Sequence, residues 1–94
     1  MEREFFCTAD LYSAAFLLAN HEVQFHGLQT HNAHKKLFVF SPRQRCDRLV
    51  LNLVAGRADI NARSFCDAIR RAKDLVFGAD RAQKGVIQVT NFTT

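Results

Sequence analysis

The chain has 94 residues, 48% of them hydrophobic and 23% charged, with a net charge of +4. That length holds one modest core and not two, and the composition excludes a chain disordered throughout. No run of about 18 apolar residues offers a membrane span, and the Met-Glu-Arg-Glu-Phe-Phe start lacks the pattern of a secretory leader. Cys7, Cys46 and Cys66 are odd in number, widely spaced and set among apolar neighbours. They read as buried, reduced thiols of a cytoplasmic protein.

Glu4-Phe5-Phe6-Cys7 reads as a short strand, with Phe5 and Cys7 on one face and Phe6 on the other. From Thr8 to Asn20 the chain reads as a short helix with almost no polar face. Leu11, Ala14, Ala15 and Leu18 form one stripe, while Tyr12, Phe16 and Ala19 form another. Thr8 is the expected N-cap, and Asn20 is expected to close the helix in a left-handed conformation. A helix apolar nearly all round needs cover on more than one side. It should therefore be the most buried element, and Leu18→Ala is expected to cost about 2–5 kcal/mol.

Glu22-Val23-Gln24-Phe25-His26 alternates as a half-buried strand does, and Leu28 then falls out of phase. The break predicts a bulge or bend at Gly27. Thr30 to Lys35 reads as a loop. Lys36-Leu37-Phe38-Val39-Phe40 is the strongest strand, apolar on both faces and so expected at the centre of its sheet.

Ser41-Pro42-Arg43-Gln44 predicts a second helix starting at Pro42, with Ser41 as N-cap and Gln44 closing a capping box. Cys46, Leu49, Val50 and Leu53 form its inner stripe, and Gly56 ends it. Asn61 is the expected N-cap of a third helix. Phe65, Ala68, Ile69, Ala72 and Val76 recur there at helical spacing, and Gly78 is the expected terminator. The pattern is β-α-β-β-α-α: an α+β domain over residues 1–78 with a three-stranded antiparallel sheet in the order 1-3-2. Residues 79–94 read as a C-terminal tail, either flexible or able to add Val86, Ile87 and Val89 as a strand to an open sheet edge.

The residues Thr8-x-Asp10-Leu11-Tyr12-x-Ala14-Ala15-Phe16-Leu17-Leu18-Ala19 are followed by Phe38-Val39-Phe40, Leu49-Val50, Gly56 and Asn61-Ala62-Arg63-x-Phe65-x-Asp67-Ala68. Together they resemble a small bacterial and phage domain family of unknown function, over roughly residues 4–77. The matching positions are core and cap residues. The resemblance implies the fold and a phage or mobile-element setting, and it brings no catalytic assignment.

Function has to be weighed among classes. His21, His26, His31 and His34 crowd one stretch, and His26, His31 and His34 are the nearest thing to a ligand set. Their spacing is irregular and no cysteine or carboxylate pair completes it, so no metal or other cofactor is expected. Cys7, Cys66 and Ser41 are better explained as core and cap residues than as nucleophiles, and no phosphate loop is present. The chain is therefore expected not to be an enzyme, and no small-molecule substrate is evident. Residues 41–94 carry ten basic and five acidic side chains. Arg43, Arg45, Arg48, Arg70, Arg71 and Lys73 could together track phosphates, although i,i+4 pairing with Asp47, Asp67 and Asp74 would offset part of that charge. Nucleic acid is thus the alternative partner. The leading expectation comes from a surplus of apolar surface, nine phenylalanines in a small chain. It is a binding domain that self-associates or takes a protein partner.

Overall fold

Lys35–Ser41 (β3) is the middle strand of one antiparallel sheet, flanked by Phe6–Thr8 (β1) on one side and Gln24–Asn32 (β2) on the other. The computed structural model describes residues 4–32 and 35–92, with side chains through Gly78. Leu11–Leu18 (α1) follows β1, and Arg43–Val54 (α2) and Ala62–Phe92 (α3) follow β3. The element order and the strand order 1-3-2 are those expected from the two-sided apolar character of β3.

Phe38 and Phe40 are 1% and 0% exposed and belong to one core cluster with Ala14, Ala15, Leu17, Cys46, Ala68 and Ala72. Residues of all three helices thus share one cluster with the same alternate positions of β3, so the helices lie on a single side of the sheet. Ala14 and Ala15 of α1 share that cluster with Ala68 and Ala72 of α3. Side chains this small allow two helix axes to approach closely, and α1 makes its most extensive packing against α3.

β2 keeps register with β3 only by looping out residues. Phe25 faces Phe40 and Gly27 faces Val39, so His26 is extra; Thr30 faces Lys36 and Asn32 faces Lys35, so His31 is extra. The bulge expected at Gly27 is present, and Gly27 has φ +115°. The expected Thr30–Lys35 loop is corrected, because strand pairing continues to Asn32 and Lys35. The second bulge absorbs the polar tract that had looked too irregular for a strand.

Several helix boundaries also differ from expectation. Asp10 caps α1, not Thr8: its carboxylate accepts from the Ser13 amide at 2.9 Å and from the Ser13 hydroxyl at 2.6 Å. Thr8 still pairs with Phe38 in the sheet, and its hydroxyl accepts from the Asp10 amide at 3.0 Å. Asn20 does not close α1, whose C-cap is Ala19 in right-handed conformation. Its side chain accepts from the Glu22 amide at 2.9 Å, an Asx turn leading into β2. Ser41 ends β3 and Pro42, extended, precedes α2 with no side-chain cap bond, so no capping box forms.

Gly56 ends α2 as expected, at φ +76°. Its amide reaches Leu53 O at 3.1 Å and the Arg57 amide reaches Asn52 O at 2.8 Å, the bond pattern of a Schellman motif. Asn61 caps α3 as expected, accepting from the Ser64 amide at 3.0 Å. Gly78, however, does not stop α3, which continues to Phe92. A glycine ends a helix only where the next turn needs left-handed backbone, and Ala79, Arg81, Ala82, Gln83 and Lys84 after it are good helix formers. Val86 to Val89 therefore lie in a helix and not in an added strand.

Candidate interaction face

With all three helices on one side, no helix lies over the other side of the sheet among the described residues. Alternation puts Leu37, Val39 and Ser41 of β3 there, each half-buried. Cys7 and Gly27 flank Val39 directly across the two neighbouring strands, and Gln29 flanks Leu37. Cys7 is exposed, which corrects the expectation of a buried thiol. Cys66 is exposed as well, while Cys46 is buried. Apolar sequence neighbours did not reveal phase: Cys7 points away from the helices, and Cys66 sits one step off the Phe65–Ala68 stripe of α3.

One end of this face rises into a ridge. Phe5, 50% exposed, meets the His26 ring edge-on at 5.2 Å and 85°. His26 Nε2 in turn shares a 2.6 Å hydrogen bond with Ser41 Oγ. The bulge brings these three side chains together, since the looped-out residue of β2 is the one that reaches Ser41. Beside the ridge Gly27 carries no side chain, and leaving its chain neighbours His26 and Leu28 aside, a Cβ built on it would meet nothing within 4 Å. The Phe5, Cys7, Val39, Leu37 and Gly27 positions carry no charge, and Lys35 marks only the hairpin end.

The residues singled out for other chemistry are scattered. Arg43 pairs with Asp47 at 3.6 Å, as expected along one helix face. Arg45 pairs with Glu22, tying the first turn of α2 to the segment before β2. Arg70 takes Asp67 at 2.9 Å, and among the described residues the i,i+4 pairs of Asp67 with Arg63 and Arg71 and of Asp74 with Arg70 do not form. Among the described residues Arg48, Arg71 and Lys73 make no ion pair. Arg71 lines an open concavity of about 310 Å³ with His21, Ser64 and Asp67 over Leu18, Ala19 and Ala68. No local sequence pattern signals it, because it joins the end of α1 to the first turns of α3.

His26 is committed to Ser41 and Phe5, His31 is an exposed bulge residue, and His34 lies outside the described residues. Among the described residues no group of three His, Cys, Asp or Glu side chains could hold a metal ion, and no helix is long and apolar enough to cross a membrane. The Cys46 thiol is pushed up to about 11, first by burial and then by the Asp47 carboxylate beside it. Comparison with known proteins finds no family model, curated protein or solved structure that matches the chain.

Proposed function

We propose that this chain is a non-enzymatic binding module that works by protein contact, with a second copy of itself as its partner. The sheet face away from the helices carries the reading: among the described residues no helix lies over Leu37 and Val39, which are half-buried on the outer side of the central strand. Apolar faces left this way are ordinarily met by another chain. The resemblance to a phage and bacterial family adds a mobile-element setting to the proposal. Sedimentation velocity across about 1–200 µM tests it, with a concentration-dependent rise from monomer to dimer expected, and a monomer throughout overturns it.

A second reading is favoured by Arg48, Arg71 and Lys73, which make no ion pair among the described residues. These cations would attract a nucleic-acid backbone without sequence preference, and the attraction would fall steeply between about 50 and 200 mM salt. Exchanging all three for Glu should abolish retention of a random duplex or single strand at low salt while the circular dichroism spectrum is unchanged. Absence of retention by the parent chain at low salt removes this reading.

A further inference from the structure

We infer that the concavity between α1 and α3 binds a small organic carboxylate with a short apolar body, the charged head held by Arg71. The hollow exists because two of its lining residues are small. Ala19 closes α1 and Ala68 belongs to the core cluster, and neither fills the space of about 310 Å³ that opens between the helices. That volume is at the lower end of the range for small-molecule sites. Leu18, Ala19 and Ala68 make an apolar floor, while His21, Ser64 and Arg71 bring N–H and O–H groups to the rim.

Charge decides the class of ligand. Arg71 makes no ion pair among the described residues. Asp67 also lines the concavity, but Arg70 holds its Oδ1 at 2.9 Å and offsets its repulsion of an anion. α1 ends and α3 begins here. The partial charges of those two helix ends are opposite in sign and of similar size, so they roughly cancel. The Arg71 guanidinium is left as the uncommitted charge, and its planar fork suits a carboxylate bidentately. A phosphate ion would satisfy the same fork but leave the apolar floor wet, so the floor selects an acid with a hydrocarbon body. The mouth is open to solvent, so the ligand stays partly wet and binds at about millimolar concentration.

The experiment titrates the isotope-labelled full chain with 4-methylpentanoate and with N-acetyl-leucine, each to about 50 mM at fixed ionic strength, and follows backbone amide resonances. Shifts should saturate at Ala19, His21, Ser64, Ala68 and Arg71. Tighter binding of N-acetyl-leucine assigns the site to a peptide C-terminus, and tighter binding of 4-methylpentanoate assigns it to a free acid. The neutral 4-methylpentanamide and inorganic phosphate should each bind about tenfold more weakly or worse. Arg71→Gln should weaken the acid by about tenfold or more and leave the remaining resonances in place. Lys73→Gln removes a cation of the same helix that does not line the concavity, and it should change nothing. The site is overturned by the absence of saturable shifts at these amides, by the neutral amide or phosphate binding as tightly as the acid, or by undiminished binding in Arg71→Gln. None of these outcomes bears on self-association, because the concavity lies among the helices and not on the outer face of the sheet.

Discussion

Phe25 and Leu28 lie three residues apart in β2 yet face the same side of the sheet, opposite the buried Phe40 and Phe38. In an unbroken strand an odd spacing puts side chains on opposite faces. His26, looped out between them, restores the phase and lets both residues pack against the core.

Deleting His26 should therefore rotate Leu28 outward or force the hairpin into a new register. Loss of one half-buried leucine alone is worth about 1–2 kcal/mol, and the strain of re-registering nine residues adds to it. Urea unfolding should show a lower midpoint by at least that equivalent. An unchanged midpoint would mean that the bulge does not set the register.

This bulge was legible in the sequence because three apolar residues, Val23, Phe25 and Leu28, broke a two-residue alternation next to a glycine. The central place of β3 was legible for a similar reason, since Leu37 and Val39 are as apolar as Phe38 and Phe40. What stayed hidden depended on tertiary phase. Thr8, Ser41 and Asp10 are all competent caps, and only the pairing of Thr8 with Phe38 and the turn of the chain at Pro42 decide which one is used. The Phe5–His26–Ser41 ridge joins three segments far apart in the chain, so no local pattern announces it.

The core position in α1 is Leu17 more than Leu18. Leu17 is 1% exposed, whereas Leu18 is half-buried on the rim of the concavity. Leu17→Ala should cost about 2–5 kcal/mol and Leu18→Ala about half as much, since a rim cavity fills with water. Thermal melts of the two variants side by side decide it, and equal losses would misplace the helix rotation.

Asp10 holds both the amide and the hydroxyl of Ser13, a buried polar residue 7% exposed. Asp10→Ala removes the cap and leaves that hydroxyl without its partner, at about 1–3 kcal/mol. The double variant with Ser13→Ala should recover part of the loss, because no buried hydroxyl then remains unpaired. A double variant no more stable than the single one would show that the side-chain bond contributes nothing.

Cys46 makes stability sensitive to alkali. Its thiol titrates at about 11 in the folded chain against an ordinary 9.0. Between those values the unfolded chain has lost the proton and the folded chain has kept it, so unfolding gains with rising pH. The contribution is fully present below about 9, falls through the window up to about 11, and is flat beyond it. Cys46→Ala should remove this slope, seen as a smaller loss of melting temperature from pH 8.5 to 10.5. The same burial should leave Cys46 unreactive toward thiol reagents under native conditions while Cys7 and Cys66 react.

Substitution of three glycines by alanine should move stability in two directions. Gly27 at φ +115° and Gly56 at φ +76° occupy backbone that L side chains rarely adopt, and neither is crowded, so the cost there is conformational. Gly56→Ala, in left-handed backbone, should lose about 1–2 kcal/mol. Gly27→Ala, further from any allowed region, should lose up to about 3 kcal/mol. Gly78 differs: it lies inside α3 with nothing within 4 Å of an added Cβ. Gly78→Ala should therefore stabilise, by about 0.5–1 kcal/mol, because alanine surrenders less backbone freedom than glycine on joining a helix. Helicity at 222 nm should hold or rise along with the melting temperature. A destabilised Gly78→Ala chain would instead place a helix end at Gly78 and return residues 79–92 to a separate segment.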